Sequence, residues 1–270
     1  MIHNILTIAG SDSGGGAGIQ ADLKTFSALG CYGASAITAL TAQNTRGVDA
    51  VELVSPAFVA RQIDAVFSDI RIDAVKVGML ANADIIAVVV ERLRAWQPRW
   101  IVLDPVMVAK GGHRLLDEAA IAAMRDELMP LASLVTPNLP EAAALMDLPV
   151  ATDWAEMEAT AARFTGGAVL LKGGHLTGAV SPDLLNVNGV MTRLEATRID
   201  TPNTHGTGCT LSAAIAALLP QHGDMLSAVR AAKDYVTSAI AASGQLHVGH
   251  GHGPVHHFHQ LWQTRGASIS

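Results

Sequence analysis

Short apolar runs of strand length alternate along this chain with longer segments whose apolar residues recur at helical spacing. The clearest helical segment lies between about 226 and 242, where Val229, Ala232 and Val236 fall on one face. Strands that alternate with helices predict an α/β fold with a mainly parallel central sheet. The strand candidates are Ile5–Ala9, Ala34–Leu40, Ala74–Met79, Trp100–Leu103, Leu134–Thr136 and Ala168–Leu171.

The composition limits what such a fold can bind. Half of the 270 residues are hydrophobic, enough for a sizeable core, and we expect one domain over residues 1–270. The formal net charge is −6 without a run of Lys or Arg, so nucleic-acid binding is not expected. No stretch reaches the ~18 apolar residues of a membrane helix, so no membrane association is expected.

The cysteines and the N-terminus point to a cytoplasmic protein. Cys31 and Cys209 are far apart in sequence and have no metal-type spacing, so a disulfide framework is not expected. The N-terminal segment Met1–Leu6 lacks the basic region and long apolar run of a signal peptide. A reducing cytoplasm is therefore the predicted location.

Polar or glycine-rich residues follow several of the predicted strands. They are Gly10–Asp12, Gln43, Asp104, Asn138 and Lys172. In open α/β sheets, ligands bind in the crevice outside the carboxyl ends of the strands. The sequence therefore predicts that these residues converge on one edge of the sheet and form the functional site there.

The strongest single motif is His205–Thr210, two glycines at the start of a predicted helix. Glycines at this position let backbone N–H groups approach a phosphate, and the helix dipole favours the anion. An ordinary glycine turn before a helix is the alternative. The motif is not a Walker sequence, because no Lys-Ser/Thr pair follows the glycines.

A second glycine cluster, Gly14–Gly18, also follows a strand and precedes a helix. Its spacing does not match the dinucleotide-binding fingerprint, and the preceding Ser11–Ser13 make the loop too long and too polar. We interpret it as a loop near the substrate or at a subunit edge.

Asn138–Glu141 begins a helix directly after a strand. Asn138 is a good N-cap and Glu141 suits the positive end of the helix dipole, so stability alone explains the pattern. The same two side chains could hold Mg²⁺ through water molecules, because Mg²⁺ keeps much of its hydration shell.

Three further side chains have both a structural and a functional interpretation. Lys172 could reach solvent along its stem or reach a nucleotide phosphate. Cys209 could be a small core residue, or a thiol whose pKa is lowered at a helix N-terminus. The amide of Gln43 complements an aminopyrimidine edge, although a single Gln is not by itself evidence for such a ligand.

The segment 247–259 contains six histidines. Metal binding is conceivable for a His-rich tract. The spacing is irregular and no carboxylate lies nearby, so we interpret the segment as a solvated or packed tail.

Read together, the motifs resemble those of the hydroxymethylpyrimidine/phosphomethylpyrimidine kinases of thiamine biosynthesis. The resemblance covers nearly the whole chain in order. It implies a ribokinase-like three-layer α/β/α fold, ATP and Mg²⁺ as cofactors, and two successive phosphoryl transfers, to hydroxymethylpyrimidine and then to its phosphate. The motifs that carry it are Ala9–Asp22, Thr38–Thr45, Lys76–Leu80, Val102–Met107, Thr136–Ala142, Leu171–His175, Asn203–Thr210 and Gly253–His259.

The resemblance also assigns roles to individual residues. Gln43 would bind the pyrimidine edge, with Asp22 and Met79 lining the substrate pocket. Asn138 and Glu141 would serve the metal ion and the phosphates. Catalysis and ATP binding would fall to the remaining matched residues, Lys172, Gly206, Thr207, Gly208 and Cys209, with the helix start forming an anion hole.

Cys209 stands where many relatives in this superfamily carry an Asp as general base. Our hypothesis is that the thiol tolerates an acceptor that is already a phosphate, which a fixed carboxylate would repel. In the first transfer, Cys209 as a thiolate could take the proton of the hydroxymethyl group.

Three other functions compete with this interpretation. A pyridoxal or pyridoxine kinase of the same fold is the nearest, although Gln43 favours the aminopyrimidine. A non-catalytic binding protein should have lost Glu141, Lys172 or the Gly206–Cys209 turn, and all are present. A dinucleotide-dependent oxidoreductase rests on the first glycine cluster alone. By analogy with the family, a homodimer is expected.

Overall fold

The computed structural model describes residues 1–107 and 116–262. Its main sheet has eight strands in the order β10-β9-β8-β7-β6-β5-β1-β2. The strands from β8 to β2 are parallel, and β9 and β10 are antiparallel to their neighbours. The mainly parallel sheet is thus as expected. Its strands are β1 (Asn4–Ala9), β2 (Tyr32–Ile37), β5 (Ala74–Val77), β6 (Ile101–Leu103), β7 (Leu134–Val135), β8 (Ala168–Lys172), β9 (Asp183–Val187) and β10 (Val190–Leu194).

Helices cover both faces of this sheet, because side chains of the buried strands point alternately to either side. Leu6 and Val75 pack with α2 to α6, whereas their neighbours Ile5 and Ala74 pack with α1, α7 and α8. The three-layer arrangement follows from this alternation. The helices are α1 (Gly18–Ala28), α2 (Pro56–Phe67), α3 (Ala83–Trp96), α4 (Glu118–Ala123), α5 (Leu139–Met146), α6 (Trp154–Ala161), α7 (Thr207–His222) and α8 (Met225–Ala241).

The second predicted strand is wrong in one respect, because the chain leaves the main sheet at Thr38. The Thr38 N–H donates to the carbonyl O of Ala9 at 3.0 Å, and its hydroxyl donates to that of Met79 at 2.7 Å. Beyond it, β3 (Ala39–Asn44) pairs antiparallel with β4 (Gly47–Leu53) in a separate two-stranded sheet. The sequence did not reveal β4, because its residues are mostly exposed and show no buried face.

Local signals at the element ends were reliable where the side chain itself makes the bond. Asn188 and Gly189, a residue pair typical of two-residue hairpins, form the turn between β9 and β10, with φ of 52° and 86°. Asn138 caps α5 and completes a capping box with Glu141. Ser55 occupies the cap position of α2 but makes no side-chain cap bond.

No helix in residues 1–107 or 116–262 combines the length and the apolar character required to cross a bilayer.

Candidate active site

A cavity of about 850 Å³ opens at the carboxyl ends of the parallel strands. The polar strand ends meet there as predicted, because parallel strands place those ends on one edge of the sheet. All residues that the sequence proposed for the site, except Asp22, lie in the wall of this cavity. The proposed residues in the wall are Gln43, Met79, Asn138, Glu141, Lys172, Gly206, Thr207, Gly208 and Cys209.

The backbone at the start of α7 lies close to neighbouring residues, because two of its positions are glycines. Gly206 is the N-cap of α7 with φ of 77°, and a Cβ there would overlap the carbonyl group of Gly16. A Cβ on Gly208 would lie 3.4 Å from Lys172 Nζ and 3.7 Å from Asp104 Oδ2. The first N–H groups of a helix have no intrahelical partner, so this turn presents donors to the cavity.

Asp12 organises the first glycine loop, a role that the sequence did not indicate although it placed Asp12 at this edge of the sheet. Its carboxylate accepts N–H bonds from Gly14, Gly16 and Ala17 at 2.8–3.0 Å, and pairs with His205 Nε2 at 2.8 Å. Burial acts to raise the pKa of Asp12, but the bonds from His205 and the backbone leave it below its usual value. The loop therefore adjoins the α7 turn, consistent with its interpretation as a loop near the substrate.

Gln43 enters the cavity from β3, and its position depends on the same cluster. Its Nε2 lies 3.4 Å from His205 Nε2, and its backbone exchanges two 2.8 Å hydrogen bonds with Ser13 Oγ. An ionised carboxylate only accepts hydrogen bonds, so we assign a proton to His205 Nε2, which donates it to the Asp12 carboxylate. Gln43 and Cys209 thus line one cavity, the arrangement that a kinase acting on a pyrimidine requires.

Lys172 lies between two carboxylates at the end of β8. Its Nζ is 3.0 Å from Asp104 Oδ1 and 3.8 Å from Glu141 Oε2, and Ser212 Oγ donates to Asp104 Oδ2 at 3.2 Å. Burial alone would lower the pKa of Lys172, but the two carboxylates hold it above its usual value. Lys172 is therefore a fixed cation in the wall, and its stem does not carry it out to solvent.

Glu141 stabilises the start of α5 and also lines the cavity. Its Oε2 accepts the Asn138 N–H at 2.8 Å, while Asn138 Oδ1 accepts the Glu141 N–H at 2.9 Å. Burial, together with the charge of Asp104, raises the pKa of Glu141 to about 7, although Lys172 acts against this. Since Glu141 also lines the cavity, the capping box fixes a carboxylate where phosphates would enter.

The donor set suits a metal ion that is held mainly by phosphates and water. No group of three or more His, Cys, Asp or Glu side chains that could hold a metal occurs in the described part of the chain. Mg²⁺ is usually bound through one or two carboxylates plus substrate phosphates, and it keeps several waters. One buried carboxylate, Glu141, with the Asn138 amide beside it fits that pattern.

Asp22 does not line the cavity, contrary to the sequence-based expectation. It is fully buried on α1, where Thr7 Oγ1 and Lys76 Nζ both donate to its Oδ2. Lys76 lies in the cavity wall instead. A Lys within the apolar strand Ala74–Val77 was the signal for this pair, because a buried ammonium requires a counterion.

Of the two interpretations of Cys209, the thiol with a lowered pKa is not supported. Burial raises the pKa of Cys209 to about 11, and the charges of Asp22 and Asp104 act in the same direction. Lys76 opposes the shift but does not reverse it. The thiol at the start of α7 is therefore neutral near pH 7, despite the helix dipole.

Part of the histidine-rich segment 247–259 packs against the site. His257 is buried, its Nε2 lies 3.1 Å from Thr210 Oγ1, and burial lowers its pKa to about 3. The backbone at Gly253 accepts the His205 N–H at 3.1 Å. The segment thus packs against the start of α7, with His257 as a neutral side chain in the contact.

Three comparisons place this geometry among known proteins. A family model described as phosphomethylpyrimidine kinase matches residues 12–256. The hydroxymethylpyrimidine/phosphomethylpyrimidine kinase of Escherichia coli (strain K12) is 57% identical over 262 residues, which cover 96% of this chain and 98% of that protein.

Solved structures agree with the sequence comparisons. A phosphomethylpyrimidine kinase from Clostridium difficile 630 has a TM-score of 0.78 and 43% identity, covering 88% of this chain and 99% of its own. The pyridoxal kinase of Staphylococcus aureus, in complex with AMP-PCP and pyridoxal, has a TM-score of 0.88 and 34% identity, covering 97% and 95%. The predicted ribokinase-like fold is confirmed.

Proposed function

The chain belongs to the phosphomethylpyrimidine kinase family, and we propose that its cavity transfers the terminal phosphoryl group of ATP to 4-amino-5-hydroxymethyl-2-methylpyrimidine and then to the resulting monophosphate. The observation that carries the proposal is that Gln43 and the Gly206–Cys209 turn line the same cavity. A ring held at Gln43 can then present its substituent to a phosphoryl group at the helix start.

Positioning and charge neutralisation supply most of the catalysis in phosphoryl transfer. The backbone N–H groups of Gly208 and Cys209, at the positive end of α7, would receive the equatorial oxygens of the moving phosphoryl group. Lys172, held 3.0 Å from Asp104, would face the nucleotide phosphates. Because these groups are fixed before the substrate binds, little reorganisation is required during the transfer.

We assign the metal ion to Glu141 and Asn138. Mg²⁺ bound there would neutralise charge on the ATP phosphates. Glu141 would contribute a carboxylate oxygen, and Asn138 would orient Glu141 through the capping box. Thr207, in the first turn of α7, would contact the phosphates from the opposite wall.

The direct test is an ATP-consumption assay with the hydroxymethylpyrimidine, in which the products are separated by chromatography and identified by mass. We expect the monophosphate to appear first and the diphosphate to follow. Pyridoxal is the comparison substrate, because a pyridoxal kinase shares the fold. Gln43 complements an aminopyrimidine edge, so kcat/KM should be higher for the pyrimidine. A higher kcat/KM for pyridoxal would replace the assignment as a hydroxymethylpyrimidine kinase by that as a pyridoxal kinase.

Replacing Cys209 by Asp should separate the two transfers. A carboxylate can act as general base for an alcohol but would repel a second acceptor that is already a phosphate. We expect the Cys209→Asp variant to lose ~10-fold or more of its rate with the monophosphate while it keeps more of its rate with the alcohol. Cys209→Ser, which adds no charge, is the matched control. Comparable losses in both transfers would contradict this role.

We also propose a cytoplasmic homodimer. The location follows from the use of ATP, and the dimer rests on the family. The exposed apolar side chains of the small sheet, Leu40, Val51 and Leu53, provide a surface that a second copy could cover. Light scattering of the purified protein measures the mass, and a monomer would refute the dimer.

A further inference from the structure

A fully buried ion pair lies beneath Cys209. Lys76 Nζ on β5 donates to Asp22 Oδ2 on α1 at 2.9 Å, and both side chains are 0% exposed. Thr7 Oγ1 on β1 donates to the same oxygen at 2.6 Å. The pair is therefore clamped between two central strands and the helix that follows the first glycine loop.

This pair is incompletely satisfied, which is unusual for a purely structural one. Within residues 1–107 and 116–262, Asp22 Oδ1 has no hydrogen-bond partner, and the bond to Asp22 Oδ2 is the single one in which Lys76 Nζ takes part. Gly78 leaves the space that the ammonium needs, because a Cβ there would lie 2.6 Å from Nζ. Burying an ion pair is costly, and apolar replacements are often equally stable, so folding alone does not account for it.

Lys76 belongs to the cavity wall together with Met79 and Cys209. Four charged groups act on the Cys209 thiol from different elements. They are Lys76 on β5, Asp22 on α1, Asp104 after β6 and Lys172 at the end of β8.

The two members of the pair act on Cys209 in opposite directions. The ammonium favours a negative charge on Sγ, whereas the carboxylate disfavours it. Asp22 also keeps Lys76 charged, since burial alone would lower the pKa of Lys76 and Asp22 holds it above its usual value. The pair thus contains a permanent cation beside a thiol that burial keeps neutral.

We propose that Lys76 is a positioning residue of the kinase reaction, and that its Asp22-anchored ammonium stabilises the Cys209 thiolate, the form that can take the proton of the acceptor alcohol. The role in catalysis rests on the proposed function. In the first transfer, the Cys209 thiol gives its proton to water. The O–H bond of the hydroxymethyl group then breaks and its proton passes to the Sγ thiolate, which becomes a neutral thiol again. The oxygen bonds to the γ-phosphorus as the phosphoanhydride bond of ATP breaks and ADP leaves.

Thiolate formation can be measured without any substrate. In a Cys31→Ser background, the rate of Cys209 alkylation by iodoacetamide is followed by mass spectrometry between about pH 7 and pH 10, because only the thiolate reacts. With Lys76→Met, we expect alkylation at a given pH to slow by about tenfold for each unit by which the thiol pKa rises. With Asp104→Asn, which removes a charge that disfavours the thiolate and leaves the Lys76–Asp22 pair intact, alkylation should become faster.

The opposite signs separate electrostatics from damage to the fold. A loosened structure would expose Cys209 and accelerate alkylation in both variants. Lys233→Met is the matched control, because Lys233 forms another buried pair, with Asp183 Oδ2 at 2.6 Å, and does not act on Cys209. Its alkylation rate should equal that of the background. Unchanged or faster alkylation in Lys76→Met, or equal changes in Lys76→Met and Asp104→Asn, would overturn the inference.

A kinetic measurement links the pair to the reaction. Lys76→Met should lower kcat with the alcohol while KM changes little, and its kcat should recover at higher pH than in the parent, whereas a structural defect would not move the pH profile. If the parent enzyme does not phosphorylate the pyrimidine but the alkylation pattern holds, the proposed function fails and the coupling of Lys76 to Cys209 stands. If kinase activity is present and alkylation is insensitive to Lys76, the inference fails alone.

Discussion

Replacing Gly206 by alanine is expected to lower kcat/KM by about two to three orders of magnitude, the effect of losing a donor from a preorganised anion hole. Gly206 has φ of 77°, and an added Cβ would overlap the carbonyl group of Gly16. The start of α7 must therefore move away from the first glycine loop. The N–H groups of Gly208 and Cys209 would then no longer point to the transferring phosphoryl group. Steady-state kinetics with the alcohol and ATP measure the loss.

Gly223 offers a matched control at the other end of the same helix. It also has φ of 77°, but within residues 1–107 and 116–262 no non-neighbouring atom lies within 4 Å of where its Cβ would be. Gly223→Ala should lower the free energy of unfolding by about 1–2 kcal/mol through backbone strain and leave kcat/KM unchanged. The comparison isolates the contact with Gly16 from the strain of a positive φ. Equal losses of activity in the two variants would show that the close approach at Gly206 is unimportant.

Replacing Lys172 by methionine is expected to be the most damaging single change in the cavity wall. The nucleotide phosphates would lose their fixed cation, so kcat/KM should fall by about two to three orders of magnitude. Asp104 would remain buried without its main counterion, and removing one partner of a buried pair costs about 3–5 kcal/mol of stability. Urea unfolding and steady-state kinetics measure the two effects separately.

A double variant tests whether these two effects have separate causes. In Lys172→Met with Asp104→Asn, the stranded carboxylate is gone, and Asn keeps a partner for Ser212 Oγ. We expect part of the lost stability to return while kcat/KM stays low, because the cation is still absent. Recovery of activity together with stability would mean that Lys172 acts through the fold and not on the nucleotide.

The fold was largely predictable from local patterns. Buried strands and amphipathic helices leave periodic signals, and the Asn188-Gly189 turn and the Asn138 cap depend on a few neighbouring residues. The small sheet of β3 and β4 was not predictable in this way, because β4 is mostly exposed and most of the inward-facing positions of β3 are only half-buried. The position of this small sheet over the cavity, and so that of Gln43, depends on contacts between segments that are distant in sequence.

The site was predictable in its residue types but not in its pairings. The family resemblance is confirmed, and the strand ends meet where the topology of a parallel sheet requires. The contact between Asp12 and His205 joins residues 193 positions apart, so no local pattern reveals it. Asp22 was expected to line the pocket, and only the structure shows that Lys76 lies between it and the cavity.

By itself, the sequence determined the alternation of main-sheet strands with helices and the edge of the sheet at which the site lies, because periodicity and glycine placement are local properties of a chain. Only the tertiary structure decided which charges face each other and how deeply they are buried. Lys172 with Asp104 and Lys76 with Asp22 are such cases. Burial also decided that Cys209 is a neutral thiol, since desolvation depends on every element packed around it and outweighs the dipole of the helix that carries it.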